Sequence, residues 1–117
     1  MTTIYGIPNC DTVKKSRAWF EEHGMAYTFH DFKKQDVPEL ALNAWITALG
    51  WEALVNKKGT TWRKLDAATQ AGVTCAASAT ALMRAHPSVI KRPVVVGTTV
   101  ISVGYSPQVF ASLLNQS

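Results

Sequence analysis

The first 24 residues predict a strand, a turn and a helix in immediate succession, and this order constrains the fold more than any other feature of the chain. Residues 2–5 are β-branched or aromatic, and a glycine and a proline follow them, which is typical of a short strand that ends in a turn. Asp11 then opens a segment with apolar residues at helical spacing, and Gly24 closes it. Cys10 therefore lies in the turn, at the start of the predicted helix.

The middle of the chain predicts one more strand and then a group of helices. Residues 26–32 alternate aromatic and polar side chains, as expected for a strand. An acidic residue and a proline at positions 36–38 mark the start of a second helix. Another helix is predicted over 76–85, where Ala, Leu and Met predominate, whereas 54–65 predict a loop with one helical turn. We expect these helices to form an insertion over about 36–86.

The end of the chain predicts two strands and a final helix. Residues 94–96 and 100–103 are β-rich runs around a turn of hairpin length. A serine and a proline at 106–107 then precede a helix. The order β-α-β, helical insertion, β-β-α predicts an α/β fold with a mixed sheet. A length of 117 residues suits one domain, so we expect a single domain over residues 1–117.

Composition and charge exclude several classes of protein. The uncharged stretches are shorter than the roughly 20 apolar residues of a membrane span, and the N-terminus lacks the pattern of a signal peptide. We therefore expect a cytoplasmic monomer without a membrane partner. The net charge of +4 comes from dispersed basic residues, which favours an ordinary soluble surface over nucleic-acid binding, and a small anionic ligand would suit the same charge. The cysteines and histidines lack the short spacing of zinc ligands, so we expect no metal.

Cys10 is the first candidate for chemistry. A thiol at the N-terminus of a helix lies among unpaired backbone N–H groups and at the positive end of the helix dipole, and both favour the thiolate. Lys14, one helical turn further on, adds positive charge if its side chain points toward the sulfur. The alternative is that Cys10 is a small residue that fills a gap in the core.

Arg92 and Pro93 form a second candidate. Proline is tolerated at the first residue of a strand, and the planar guanidinium beside it suits a carboxylate or an oxyanion. The alternative is a surface arginine next to a proline of an edge strand. The sequence does not decide whether Arg92 faces Cys10.

Three segments, YGIPNCDTVKKSRAWFEEHG, NKKGTTWRKL and PSVIKRPVVVG, together resemble the arsenate reductase (ArsC/Spx) family, and most closely its YffB-type branch. The resemblance covers nearly the whole chain in the same order. It implies a thioredoxin-like fold, a nucleophilic Cys10, a cis proline at Pro93 beside an anion-binding Arg92, and glutathione as the thiol partner.

The site that follows from these observations has two groups of residues. In this hypothesis the helix start and Lys14 hold the thiolate of Cys10, and Arg92 binds a carboxylate of glutathione, the partner that the resemblance implies, or a substrate oxyanion. The backbone after Pro93, at Val94 and Val95, pairs with extended glutathione as at an exposed strand edge. The predicted binding residues are Asn9, Asp11, Thr12, Arg92, Pro93 and Val94.

The chain also departs from the family pattern. The arsenate reductases carry arginines where this chain has Asn56 and Gly104-Tyr105, which weakens the case for arsenate because a tetrahedral oxyanion needs several donors. The Spx regulators have a second cysteine three residues after the first, where this chain has Val13. Cys75 is distant in the sequence, and we expect it to pack at a helix start rather than to resolve a disulfide with Cys10.

The sequence therefore predicts a glutathione-dependent thiol-disulfide reductase that works through a mixed disulfide on Cys10. The substrate is a small disulfide or an oxyanion, glutathione is the co-substrate, no cofactor is tightly bound, and glutaredoxin is a further candidate partner. Two alternatives stay open: an arsenate reductase that uses glutathione and glutaredoxin, and an Spx-like regulator that binds RNA polymerase.

Overall fold

The computed structural model describes residues 2–114, and within them the chain forms a four-stranded sheet, seven α-helices and one 3-10 helix. In chain order the elements are β1 (Thr3–Gly6), α1 (Asp11–Glu22), β2 (Thr28–Asp31), α2 (Glu39–Leu49), α3 (Trp51–Leu54), α4 (Thr60–Lys64), α5 (Ala67–Ala71), α6 (Ala76–Ala85), the 3-10 helix (Pro87–Val89), β3 (Val94–Val96), β4 (Ile101–Val103) and α7 (Pro107–Leu114).

The sheet has the strand order β2-β1-β3-β4. β1 and β2 are parallel, whereas β3 is antiparallel to both β1 and β4. The parallel pair needs a crossover, which α1 provides, and the antiparallel β3–β4 pair needs only a short turn. The predicted α/β class, the mixed sheet and the thioredoxin-like order of elements are confirmed.

The described residues form two compact units. The first combines residues 2–35 with residues 92–114, and the second contains residues 36–91. The first unit contains the whole sheet with α1 and α7. Its core joins one face of the sheet to both helices through Ile4, Phe20, Met25, Val95, Phe110 and Leu113. The rings of Phe20 and Phe110 lie 5.1 Å apart between their centroids, so aromatic contacts contribute much of the burial in this core.

Gly6 allows α1 to pack closely against the end of β1. A Cβ at this position would lie 2.7 Å from Cγ2 of Val13, which is itself fully buried. Any larger residue would push the first turn of α1 away from the strand. The position of Cys10, between Gly6 and Val13 in the chain, depends on this contact.

The second unit is helical and has its own core. Buried side chains of α2, α3, α6 and the 3-10 helix form it, namely Leu42, Trp45, Leu54, Leu82, Met83 and Val89. An isolated bridge pairs Val55 with Ile90. The amide of Lys91 donates to the carbonyl of Leu54 at 2.7 Å. The unit therefore continues five residues past the predicted end of the insertion at 86, because this bridge needs the segment after α6.

Most predicted elements agree with the structure, and the differences lie in short elements. The helix predicted over 76–85 is α6, residue for residue. The second strand is shorter than predicted, at Thr28–Asp31. The sequence pattern did not predict α3 and α5, because four or five residues are too few for a helical period to appear. In the described part of the chain, no helix is long and apolar enough to cross a membrane. The count of one domain stays a prediction.

Candidate active site

The sheet topology brings Cys10 and Arg92 to the same edge. Cys10 follows the carboxyl end of β1, and Arg92 precedes β3, which runs antiparallel to β1 with Tyr5 opposite Val94. The end of one central strand therefore meets the start of the other. Both residues belong to the first unit, so one sheet positions both.

Cys10 is the N-cap residue of α1. Its backbone is extended, with φ −92° and ψ 126°, and its carbonyl accepts the first helical hydrogen bond, from Lys14 N–H at 2.9 Å. Its own N–H donates to the carbonyl of Ile7 at 3.3 Å, which closes the turn after β1. The thiol is half-buried and forms no disulfide. This is the helix-start cysteine that the sequence predicted.

The pKa of the Cys10 thiol is lower than that of an ordinary cysteine. Burial raises this pKa, but the N–H of Val13, the hydrogen bond and charge of the Arg92 guanidinium, and the N–H of Thr12 together outweigh burial. The net effect favours the thiolate.

Arg92 lies against the thiol and is only half exposed, with its Nε atom buried. The hydrogen bond and the charge of the guanidinium lower the pKa of Cys10. Arg92 therefore faces Cys10, a point that the sequence did not decide. A guanidinium has five N–H donors, so one arginine can contact the sulfur and also offer donors to an anion. Its predicted role in binding stays a prediction.

The other predicted residues near the helix start differ in exposure. Asn9 lies in the turn and is exposed, and Asp11 is the exposed first residue of α1. Thr12 is half-buried, and its N–H helps to lower the pKa of Cys10. Lys14 is exposed on the second turn of the helix. The positive side chain that the structure places at the sulfur is Arg92, and the predicted role of Lys14 stays a prediction.

The prediction that Val94 and Val95 offer a free strand edge is wrong. β3 is an interior strand, and Val94 pairs with Tyr5 on one side and Val103 on the other. Val94 and Val95 are both fully buried, so neither can pair with an extended ligand. The prediction failed because strand order is not readable from a local pattern. Pro93 is cis, as the family resemblance implied.

Cys75 is also a helix N-cap, at the start of α6 in the second unit. It is exposed, and its backbone N–H donates to Oγ of Ser78 at 3.1 Å. The backbone N–H and the hydroxyl of Ser78 lower the pKa of this thiol, and the N–H of Ala77 adds to them. The predicted place at a helix start is confirmed, whereas the predicted packing is wrong because the side chain is exposed. The serine three residues after the cysteine was a capping signal that the sequence analysis missed.

Among residues 2–114, no group of three or more His, Cys, Asp or Glu side chains could hold a metal ion. The candidate site is therefore defined by one thiol, one guanidinium and the N–H groups of a helix start. Such a site can stabilise a thiolate and bind an anionic group next to it.

Comparison with known proteins identifies the family. The family model described as "ArsC family" matches residues 5–113. The chain belongs to the ArsC family. The solved structure of the YFFB (PA3664) protein is 43% identical, covers 97% of this chain and 99% of that one, and superposes with a TM-score of 0.92. This match places the chain in the YffB-type branch that the sequence predicted.

Two further relatives extend the comparison. The solution structure of an arsenate reductase (ArsC) related protein from Brucella melitensis is 45% identical over 97% of this chain and 93% of that one, with a TM-score of 0.73. The global transcriptional regulator Spx of Bacillus subtilis is 23% identical over 108 residues, which cover 91% of this chain and 81% of Spx. Membership of the ArsC family supports a general function as a thiol-based reductase.

Proposed function

We propose that this protein is a glutathione-dependent thiol-disulfide reductase in which Cys10 is the only catalytic cysteine. The observation that carries the proposal is the half-buried thiol at the start of α1 with the Arg92 guanidinium against it. A thiolate is the nucleophile in disulfide exchange, and a guanidinium is suited to the carboxylates of glutathione. Family membership supports the general class of reaction.

The reaction proceeds by two exchanges at sulfur. The Cys10 thiolate attacks the glutathione sulfur of a mixed disulfide, forms a Cys10–glutathione disulfide, and releases the other thiol, which takes up a proton. A second glutathione, as its thiolate, attacks the glutathione sulfur of that intermediate and restores Cys10. One small mixed disulfide and one glutathione therefore give one free thiol and one oxidised glutathione, and glutathione supplies the electrons.

The helix that carries Cys10 explains why an external thiol is needed. Three residues after Cys10 stands Val13, whose side chain is fully buried and packs against Gly6. A local disulfide of the Cys-x-x-Cys kind is therefore not available to resolve the intermediate. Glutathione is the abundant thiol of reducing compartments, and a cytoplasmic location suits this proposal.

The test is a coupled assay. Purified protein is given glutathione, glutathione reductase, NADPH and a small glutathione mixed disulfide, and NADPH consumption is followed in wild type, Cys10→Ser and Cys75→Ser. We expect turnover in wild type and in Cys75→Ser, and none in Cys10→Ser. Equal rates in wild type and Cys10→Ser would reject the proposal.

Arsenate is the second candidate substrate, because Arg92 beside Cys10 could bind an oxyanion. The same assay with arsenate and added glutaredoxin tests it. One guanidinium gives a tetrahedral oxyanion fewer charged donors than it needs, so we expect a lower rate than with the disulfide. If neither substrate turns over while Cys10 reacts rapidly with an alkylating agent, the thiol is a sensor or a binding element, and RNA polymerase becomes the partner to test.

A further inference from the structure

Tyr105 lies at the edge of the sheet that carries Cys10 and Arg92. It follows β4, whose end pairs with the start of β3 through Val103 and Val94. The N–H of Gly104 donates to the carbonyl of Pro93 at 2.8 Å. Gly104 has φ +89°, a conformation that glycine adopts without strain. The turn into Tyr105 is thus tied to the residue that follows Arg92.

The ring of Tyr105 is held in place by the core on one side and faces a cation on the other. It makes an edge-on contact with Phe110 of α7, with centroids 5.8 Å apart and an interplanar angle of 82°. The Nζ atom of Lys15, on α1, lies 4.5 Å from the centroid of the Tyr105 ring, well within the range of a cation–π interaction. The side chain of Lys15 is therefore directed to the β4 side of the helix start.

Lys15 keeps its charge available for a ligand. In the described part of the chain it forms no ion pair, although Asp11 stands four residues earlier, at the spacing that favours one. The residue is exposed, and the aromatic ring fixes the position of the ammonium group without using its N–H donors. A pre-positioned cation costs less conformational entropy on binding than a free lysine.

We propose that Lys15 binds one of the two carboxylates of glutathione while Arg92 binds the other, so that Lys15 and Tyr105 determine selectivity for this thiol. This inference rests on the proposed function of Cys10. Helix geometry places the Cα atom of Lys15 about 7.5 Å along the axis from that of Cys10 and about 140° around it, so the Lys15 side chain leads to the β4 side of the helix start, where the Tyr105 ring holds it. Extended glutathione spans about 10 Å, so its two carboxylates can lie on opposite sides of a sulfur bound at Cys10.

The experiment measures binding without turnover. S-methylglutathione, which cannot exchange, is titrated as a protectant of Cys10 against iodoacetamide in wild type, Lys15→Gln, Tyr105→Leu and Tyr105→Phe. The phenylalanine variant keeps the ring face for Lys15, and Lys34→Gln, an exposed lysine of the same unit, is the matched charge control. The dimethyl ester of S-methylglutathione, which lacks both carboxylates, is tested in parallel.

We expect the apparent Kd of S-methylglutathione to rise about two- to fivefold in Lys15→Gln, as for loss of an exposed ion pair. Tyr105→Leu should show a similar or smaller rise, and Tyr105→Phe and Lys34→Gln none. The dimethyl ester should protect wild type and Lys15→Gln equally.

The outcomes separate this inference from the function on which it rests. If S-methylglutathione protects wild type and Lys15→Gln with the same Kd, the role of Lys15 is rejected while glutathione binding stands. If it protects neither and glutathione supports no turnover, the proposed function fails and this inference fails with it. An equal loss of affinity for the dimethyl ester would show that Lys15 acts on the fold of the site rather than on a carboxylate.

Discussion

The two units of this protein each contain one cysteine at the start of a helix, and the surroundings of the two thiols differ. Cys10 is half-buried next to a guanidinium, whereas Cys75 is exposed next to a serine hydroxyl. Interactions with neighbouring N–H groups lower the pKa of both thiols. A helix start alone therefore does not distinguish the two thiols. What distinguishes Cys10 is a fixed positive side chain at the meeting point of two central strands.

The largest expected effect separates the two cysteines by activity. Cys10→Ser should lower glutathione-dependent turnover by more than about 1,000-fold, since removal of a nucleophile leaves no covalent route. Cys75→Ser should retain the wild-type rate. The coupled NADPH assay measures both. A loss of activity in Cys75→Ser, with its fold intact by circular dichroism, would show that the two thiols act together.

The next effect concerns the charge beside Cys10. Arg92→Gln should lower kcat/KM by roughly 10- to 100-fold, because a hydrogen bond between charged groups contributes about 1.5–3 kcal/mol. Lys91→Gln, at the neighbouring exposed position, is the control and should have little effect. Steady-state kinetics with glutathione in excess measures the change. Similar losses in the two variants would indicate that general surface charge, rather than Arg92, assists the reaction.

The pH dependence of turnover should follow the Cys10 thiolate. A lowered pKa means that the thiolate forms at a lower pH than in an ordinary cysteine, whose pKa is about 8.5. The rate should therefore rise with pH, with its midpoint below that value in wild type. In Arg92→Gln the loss of the positive charge raises the pKa of Cys10, so the midpoint should move to higher pH. A midpoint that is the same in both proteins would contradict the role given to Arg92.

The smallest expected effect lies at Cys75. The hydroxyl of Ser78 contacts the sulfur at 3.5 Å and lowers the pKa of this thiol. Ser78→Ala should slow the alkylation of Cys75 at neutral pH by only about two- to threefold, because the site is exposed and each hydrogen bond there contributes little. The alkylation of Cys10 should not change. Peptide mass spectrometry after timed alkylation reports on both cysteines in one sample.

The parts of this fold that the sequence predicted are those that depend on local pattern. Periodicity and the positions of glycine and proline were enough to place α1, α6 and α7 and to put Cys10 at a helix start. The short helices α3 and α5 lack a full helical period. Asp66 caps α5 by accepting the N–H of Thr69 at 2.7 Å, and this local contact was the available signal.

The parts that the sequence did not predict depend on which strands are neighbours. Arg92 reaches Cys10 because β1 and β3 pair in antiparallel register, and no local pattern specifies that pairing. The same fact explains the error at Val94 and Val95, which lie on a strand with a neighbour on each side. Likewise, the contact between Lys15 and Tyr105 joins a helix to a turn about 90 residues later, beyond the reach of periodicity.

The most direct test of the account is the alkylation rate of each cysteine as a function of pH, measured together in wild type and in Arg92→Gln. We expect the midpoint for Cys10 in wild type to lie below the ordinary value of about 8.5 and to move upward in Arg92→Gln. The midpoint for Cys75 should be the same in both proteins. A Cys10 midpoint at or above 8.5 in wild type, or one that Arg92→Gln leaves unchanged, would contradict the claim that Arg92 makes this thiol the reactive one.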